Sequence, residues 1–212
     1  MDDAAIPRIK ICGVTSILDA QLVVECGAEA LGLIYANSVR QVSDDVAKEI
    51  LELCEDQLSV VGVFRHQDDE QVMQIVQRDA LRTVQLHDPA SDSLLERLDA
   101  RDVRVLRAVT LRSPELSPRE LERAVAVIVD SAKPGSGVAN DWLAVSSVKF
   151  AVPMLVAGGL TPQNVRDVIG HTSPWGVDVA SGVESAPGVK DPAKVASFVA
   201  RAREALLQKG VS

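Results

Sequence analysis

The sequence has little cysteine, few aromatic side chains, no excess of basic residues and no long apolar run. Three cysteines do not make a disulfide framework, and they favour a reducing cytoplasm. Two Trp, one Tyr and three Phe with a formal charge of −8 give no electrostatic footprint for nucleic acid. No run approaches the roughly 20 apolar residues that cross a bilayer, and the acidic residues 1–7 do not resemble a signal peptide. We therefore expect a cytoplasmic protein without nucleic-acid or membrane partners.

Apolar residues make up 47% of the 212 residues and charged residues 25%, the balance of a globular protein with a core. Short apolar segments rich in β-branched residues recur along the chain, and segments with helical spacing of apolar residues separate them. Strands that alternate with helices indicate βαβ units and a parallel sheet. The eight predicted strands are 8–14, 30–36, 58–64, 82–87, 103–109, 126–131, 153–157 and 175–181.

Eight β/α units predict an α/β fold, a single-domain (β/α)8 TIM barrel over residues 1–212, near the short end of that fold's range. An open, doubly wound parallel sheet is the structural alternative. It is disfavoured because no G-x-G-x-x-G follows the first strand and no G-x-x-x-x-G-K-[ST] occurs anywhere.

Helix-start signals support this alternation. Ser43 and Ser117 are predicted N-caps, and Glu120 completes a capping box with Ser117. The last helix is predicted over 191–208, where apolar residues form one stripe. The glycine-rich segment 131–140 is long for a connection and is predicted to be a functional loop.

Polar residues near the carboxyl ends of barrel strands are candidates for an active site. Alternation places Lys10 and Cys12 on the inner face of strand 1, His87 at the end of strand 4 and Asp130 at the end of strand 6. Asp178 faces inward on strand 8, where a carboxylate is costly unless it is paired. The first and last strands are neighbours in a closed barrel, so we expect Lys10 to pair with Asp178.

Each candidate also has a plainer interpretation. A cysteine such as Cys12 in an apolar strand often acts as a small buried apolar residue. Asp130 could cap a helix, and His87 could form a structural hydrogen bond. Arg107 of strand 5 either points into the barrel or has a surface or interface role.

Two glycine-rich turns follow strands 7 and 8, and they contain Gly158, Gly159, Ser181 and Gly182. Barrels often bind phosphate at these two loops, since glycine lets backbone N–H groups approach an anion closely. The pair of turns predicts a phosphate site, and turn chemistry alone is the plainer interpretation.

Motifs distributed along nearly the whole chain resemble those of one family, phosphoribosylanthranilate isomerase of tryptophan biosynthesis. This resemblance implies a TIM barrel that rearranges N-(5-phosphoribosyl)anthranilate, an aminoaldose, into an aminoketose by an Amadori rearrangement without metal or organic cofactor. The matching stretches are Lys10–Thr15, Val61–Phe64, Val84–His87, Ile128–Asp130, Gly135–Gly137, Asp141–Trp142, Leu155–Leu160, Val177–Glu184 and Pro187–Asp191.

The resemblance also implies roles for single residues. Cys12 corresponds to the general base and Asp130 to the general acid, which requires a raised pKa for that carboxyl. Arg40 is expected to bind the anthranilate carboxylate, His87 to shape the anthranilate side, and Asp178 to orient Lys10 or a ribose hydroxyl. We expect Lys10 to favour the Cys12 thiolate.

Four positions depart from the family's usual pattern. Val39 replaces a proline before Arg40, and Asp88 replaces a glycine after His87, where it could repel the substrate carboxylate. Asn140 replaces a phenylalanine, and Ala180 replaces a serine.

Two other functions stay open at this point. One is a related phosphosugar barrel, such as the histidine-pathway aminoaldose isomerase or an epimerase. That isomerase family has an aspartate where this sequence has Cys12. The other is a barrel that binds a phosphorylated small molecule without catalysis. The sequence allows a monomer or a homodimer.

Overall fold

The computed structural model describes residues 6–111, 116–130 and 142–209. In these residues eight parallel strands close into a barrel in chain order, because the first strand pairs with the second and with the eighth. This closure confirms the (β/α)8 TIM barrel and excludes the open doubly wound sheet. The strands are β1 (Ile9–Cys12), β2 (Ala30–Ile34), β3 (Ser59–Phe64), β4 (Thr83–Leu86), β5 (Arg104–Thr110), β6 (Ala124–Asp130), β7 (Met154–Val156) and β8 (Gly176–Val179).

Helices connect successive strands on the outside of the barrel. They are α1 (Ile17–Glu25), α2 (Asp44–Cys54), α3 (Asp69–Arg78), α4 (Asp92–Asp99), α5 (Pro118–Arg123), α6 (Trp142–Ser147), α7 (Val165–Thr172) and α8 (Pro192–Lys209). The predicted caps are confirmed, since Ser43 accepts a hydrogen bond from the Val46 N–H and Ser117 forms the capping box with Glu120. None of the described helices is long and apolar enough to cross a membrane. The predicted loop 131–140 lies outside the described residues.

Alternation along each strand builds two apolar layers. Outward-facing residues such as Ile11, Leu33 and Val177 pack against the helices in the main core. Inward-facing residues fill the barrel, and several are small, which lets eight strands close around them. Each large apolar side chain buried in this way stabilises the fold by roughly 1.5–3 kcal/mol. The inner layer contains Ile6, Cys12, Ala30, Val61, Val63, Leu106, Ala108, Ala126, Ile128, Leu155 and Ala157.

Arg107 belongs to the outer layer, so the alternative that it points into the barrel is wrong. It lies between Val105 and Val109, both of which pack in the outer core. Its guanidinium pairs with Glu120 at 2.9 Å and donates to the Leu86 carbonyl at 2.6 Å. The pair is buried, and it ties α5 to the barrel wall instead of forming a surface contact.

The amino-terminal end of the barrel is closed by Ile6 and Trp175. The Trp175 indole N–H donates to the Ile6 carbonyl at 3.2 Å, and the Arg8 guanidinium lies 5.1 Å from the centre of the indole ring.

A short antiparallel hairpin follows β8, and the alternating β/α pattern did not predict it. Its strands are β9 (Glu184–Ala186) and β10 (Val189–Lys190). Thr15 donates its hydroxyl hydrogen to the Gly188 carbonyl at 2.6 Å, which holds the hairpin against the loop after β1. The hairpin thus places Glu184 and Lys190 beside the carboxyl end of the first strand.

Candidate active site

A cavity of about 290 Å³ opens at the carboxyl ends of the strands. All nine predicted site residues line it, although they come from loops and strands around the whole barrel. Placement in one cavity is what a common site requires. These residues are Cys12, Arg40, His87, Asp130, Gly158, Gly159, Asp178, Ser181 and Gly182.

The inner faces of β1 and β8 carry a buried ion pair. Lys10 and Asp178 are register partners, and the Lys10 ammonium donates to Asp178 Oδ1 at 2.8 Å, which confirms the predicted pair. Gly32 of β2 leaves room beside them. A Cβ at that position would lie 2.7 Å from Cys12 Sγ and 3.1 Å from Lys10 Nζ, so the ammonium and the thiol share one small space.

Burial raises the pKa of the Cys12 thiol above its ordinary value. Lys10 and, to a smaller extent, Lys190 lower this pKa, whereas Asp178 raises it. The expectation that Lys10 favours the thiolate is correct in sign, but the desolvation of the buried sulfur outweighs it. Asp178 and Cys12 raise the pKa of Lys10 despite its burial, so the cation persists beside the thiol.

Asp130 occupies the last position of β6, across the cavity from β1. Its backbone is in register with Thr110, and its side chain is half-buried at the cavity wall. Two strands, β7 and β8, separate it from β1 around the ring. A carboxyl and a thiol therefore face one enclosed volume from different sides. The raised pKa expected for Asp130 stays a prediction.

His87 is held by the side chain two residues before it on β4. Gln85 Nε2 lies 3.0 Å from His87 Nε2, and an amide nitrogen donates, so the imidazole accepts there and carries its proton on Nδ1. Burial, followed by the charge of Arg65, lowers the pKa of His87 to about 4. The imidazole is therefore neutral at pH 7. Gln85 Oε1 is buried and has no hydrogen-bond partner among the described residues.

Arg40 lies against the loop after β1 and makes a two-pronged contact with the hairpin. Its Nε and Nη2 each donate to one carboxylate oxygen of Glu184 at 2.8 Å. The aliphatic part of the side chain crosses Gly13, where a Cβ would lie 2.8 Å from Arg40 Cδ and where φ is +71°. Glycine at this position therefore serves both the turn and the path of the arginine.

Glu184 and Lys190 are functional candidates that sequence reasoning left without a role. Both are buried, and the Lys190 ammonium donates to Glu184 Oε1 at 3.0 Å. The same ammonium donates to the Cys12 carbonyl at 2.7 Å. Their presence within motif stretches near the end of the chain was the available signal, but their contacts depend on the hairpin.

The two glycine-rich turns pack directly on each other. Gly158 and Gly159 have φ of +85° and +70°, in the left-handed region that favours glycine. A Cβ at Gly182 would lie 1.7 Å from the Leu160 carbonyl oxygen, so only glycine allows this approach of the two loops. The two turns therefore line the cavity side by side, and the phosphate site expected at them stays a prediction.

The departures from the family's pattern leave this arrangement intact where the structure describes them. Asp88 accepts from the His66 backbone N–H and does not line the cavity, so it does not point into the pocket, which was the condition for it to repel a carboxylate. Val39 is 74% exposed, and Ala180 packs against the inner layer. Asn140 lies outside the described residues, as do Gly135–Gly137 and Asp141.

A closed parallel barrel with a thiol, a carboxyl and two glycine turns around one cavity at its carboxyl end defines a TIM-barrel enzyme. The family can then be assigned by comparison. A sequence model of N-(5'phosphoribosyl)anthranilate (PRA) isomerase matches residues 9–201. The N-(5'-phosphoribosyl)anthranilate isomerase of Geotalea uraniireducens (strain Rf4) is 42% identical over 202 residues, which cover 92% of this chain and 98% of that protein. The chain belongs to the PRA isomerase family.

Solved structures agree with this assignment. Phosphoribosyl anthranilate isomerase from Thermus thermophilus is 34% identical, with a TM-score of 0.82 over 93% of this chain and 98% of that one. A phosphoribosyl anthranilate isomerase in complex with reduced 1-(o-carboxyphenylamino)-1-deoxyribulose 5-phosphate is 30% identical, with a TM-score of 0.74 over 94% and 100%. The activity is thus that of an aminoaldose–aminoketose isomerase in tryptophan biosynthesis, as the resemblance implied.

Proposed function

We propose that the cavity rearranges N-(5'-phosphoribosyl)anthranilate with Asp130 as general acid and Cys12 as general base. The observation that carries this proposal is the placement of both side chains on the wall of one cavity, at the ends of β6 and β1. An Amadori rearrangement needs one group that donates a proton and one that accepts a proton at different atoms of the same sugar. Groups on different sides of an enclosed volume meet that requirement.

The proposed reaction begins with two proton transfers and ends with a tautomerisation. Asp130 donates its proton to the furanose ring oxygen, the bond from that oxygen to C1′ breaks, and the anilino nitrogen lone pair forms the iminium. Cys12, as thiolate, then removes the proton from C2′, and the electrons of that C–H bond form the enol-amine. Tautomerisation of the enol-amine gives the ketone of the product.

The cation beside Cys12 has a defined task in this scheme. The thiol pKa is raised by burial, so the thiolate is the less populated form at neutral pH. Lys10 stabilises that form at close range, and Asp178 fixes the Lys10 ammonium at 2.8 Å. Asp178 is proposed to orient Lys10 and, through its place at the cavity wall, to contact the ribose.

The remaining contacts recognise the two ends of the substrate. Arg40 is proposed to bind the anthranilate carboxylate, because a guanidinium suits a planar carboxylate. Neutral His87 is proposed to line the anthranilate side. The phosphate group of the substrate is proposed to bind the backbone of the two glycine turns at Gly158, Gly159, Ser181 and Gly182.

The ligand named in one solved relative supports this division, since it carries a carboxyphenyl group at one end and a phosphate at the other. A histidine-pathway isomerase is less consistent with the cavity, because the thiol of Cys12 stands where that family has an aspartate. A barrel that only binds a ligand would have no use for an acid and a base on one cavity.

We also propose that residues 1–212 form one barrel domain that works in the cytoplasm. Every described strand from β1 to β8 belongs to one closed sheet, which supports a single domain. The three cysteines form no disulfide, which fits a reducing compartment.

Asp130→Asn tests the acid directly. Freshly generated N-(5'-phosphoribosyl)anthranilate is supplied and the loss of anthranilate fluorescence is followed. We expect kcat to fall by at least about 10²-fold, because the amide cannot donate the proton as an acid. Asp88→Asn is the matched control, since its carboxyl also follows a barrel strand, β4, but lies outside the cavity. Near-normal turnover by a folded Asp130→Asn enzyme would remove Asp130 from the mechanism.

A further inference from the structure

Three charged side chains form a buried cluster between the loop after β2 and the hairpin after β8. Glu184 lies at its centre, with the Arg40 guanidinium on one side and the Lys190 ammonium on the other. The side chains are 10%, 4% and 0% exposed for Arg40, Glu184 and Lys190, respectively. Charges removed from water to this extent are costly unless they are paired, and here each is paired at hydrogen-bond distance.

The cluster is also attached to the strand that carries the proposed base. Lys190 donates to the Cys12 carbonyl at 2.7 Å and lies 3.4 Å from the Ala180 carbonyl. These two carbonyls follow β1 and β8, so the ammonium bridges the ends of neighbouring strands. One chain of contacts therefore runs from the backbone of Cys12 through Lys190 and Glu184 to Arg40.

The hairpin itself is fixed by further hydrogen bonds. The Lys190 backbone N–H donates to Asp19 of α1 at 3.3 Å, and Lys194 of α8 donates to the Glu184 carbonyl at 2.7 Å. The two hairpin residues of the cluster, Glu184 and Lys190, are thus held by helices that pack on the barrel. Burial opposes ionisation of Glu184, but Arg40 and Lys190 keep its pKa below the ordinary value, so the carboxylate remains charged.

We propose that Glu184 and Lys190 are positioning residues for catalysis: Glu184 orients the guanidinium of Arg40, and Lys190 ties Glu184 to the end of β1. The Arg40 guanidinium and the Cys12 thiol are thereby kept at a fixed separation on one side of the cavity. This inference rests on the proposed roles of Arg40 and Cys12. It predicts that loss of Glu184 acts on the substrate through Arg40.

A double-mutant cycle of Glu184→Gln and Arg40→Ala tests the inference. The kinetic constants are measured with N-(5'-phosphoribosyl)anthranilate and with N-(5'-phosphoribosyl)aniline, which lacks the carboxylate. If the aniline compound does not turn over, its inhibition constant is measured in place of KM. We expect Glu184→Gln to raise KM for the carboxylated compound about tenfold, a loss of about 1.4 kcal/mol. The constant for the aniline compound should change less than twofold.

The cycle also separates this inference from the proposed function. In an Arg40→Ala background, Glu184→Gln should add almost nothing, because its route to the substrate is gone. Fully additive effects would overturn the positioning role of Glu184, and so would an equal loss with both compounds from Glu184→Gln when Arg40→Ala affects only the carboxylated one. If Arg40→Ala itself affects both compounds equally, the carboxylate role of Arg40 fails, and non-additivity with Glu184 still decides the inference.

Two further variants guard against loss of folding. Glu184→Asp keeps the charge opposite Lys190 but shortens the side chain, so it should raise KM while the protein remains folded. A folded Glu184→Asp enzyme with the wild-type KM would contradict the inference. Glu204→Gln removes an exposed carboxylate that pairs with Arg166 between α8 and α7 and does not line the cavity, and it should leave both constants unchanged.

Discussion

Lys10–Asp178 and Arg107–Glu120 are both buried ion pairs of the barrel wall, but they lie on opposite faces of it. Their contact distances are nearly equal, at 2.8 and 2.9 Å, and each of the four side chains is at most 8% exposed. The inner pair borders the cavity and the Cys12 thiol. The outer pair lies between β5 and the first turn of α5.

The two pairs have different neighbours, and their charges therefore have different effects. Lys10 lowers and Asp178 raises the pKa of the neighbouring Cys12 thiol, and Asp178 lines the cavity, so their charges act on the side chain of a neighbour. Arg107 donates to the Leu86 carbonyl, and Glu120 accepts from the Ala90 and Ser117 N–H groups, so their charges hold a helix and a loop. A one-residue change of face thus separates a charge that borders the cavity from a charge that holds a helix.

Lys10→Met is expected to have the largest effect on kcat/KM. Loss of the cation leaves Asp178 unpaired beside Cys12, so the thiol pKa rises further and kcat/KM at pH 7 should fall about 10²-fold. Because the base must be deprotonated, the rising limb of kcat/KM against pH should move to higher pH. The charged groups around the thiol are Lys10, Asp178, Lys190 and Arg40.

The control for this change is Lys48→Met on the exposed face of α2, which should leave the profile in place. If a folded Lys10→Met enzyme keeps its rate and its pH profile, the inner pair is only structural and does not differ in role from the outer pair.

Glu120→Gln is expected to show the reverse pattern. It leaves the Arg107 charge buried without its ion-pair partner, so the free energy of unfolding should fall by about 3 kcal/mol. Turnover by the folded enzyme should stay within about twofold of wild type. Urea denaturation and steady-state kinetics measure the two quantities, and Glu122→Gln on the same helix is the exposed control. A large loss of kcat without a loss of stability would place the outer pair in the catalytic machinery.

The smallest effect concerns His87 and pH. The pKa of His87 is about 4 in the folded protein and about 6.5 in an unfolded chain, so the unfolded state binds more protons between these values. The stability that this neutral histidine contributes is complete above pH 6.5 and is lost as the pH falls toward 4. Wild type should therefore lose stability relative to His87→Gln across this interval.

Side-chain ¹⁵N NMR provides an independent measurement, because the chain has only three histidines. At pH 7 we expect His87 with its proton on Nδ1 and an unprotonated Nε2. A titration midpoint near 6.5 for His87 would show that Gln85 and the cavity wall do not hold the neutral form.

The inner site was largely predictable because it depends on two regular features, alternation along strands and the adjacency of the first and last strands. Those features placed Cys12, Asp130 and Asp178 on the cavity and paired Lys10 with Asp178. They could not decide the face of Arg107, since β5 carries arginines on both faces and its pairing with β6 shifts register at Val105/Leu106.

Two other features depend on tertiary contacts that no periodic pattern contains. The charge cluster forms because a hairpin outside the β/α repeat brings Glu184 and Lys190 to the loop that carries Arg40. The net shift of the Cys12 pKa depends on how far burial outweighs Lys10, and the tertiary packing around the thiol, which includes Gly32, sets that balance.

A single-turnover experiment tests whether Cys12 removes the C2′ proton. Wild type and Cys12→Ser are each mixed, with enzyme in excess over substrate, with substrate that carries hydrogen or deuterium at C2′. We predict that deuterium slows wild-type turnover and that Cys12→Ser, with unchanged thermal unfolding, reacts at least about 10²-fold more slowly. A Cys12→Ser enzyme that reacts at nearly the wild-type rate would contradict the account.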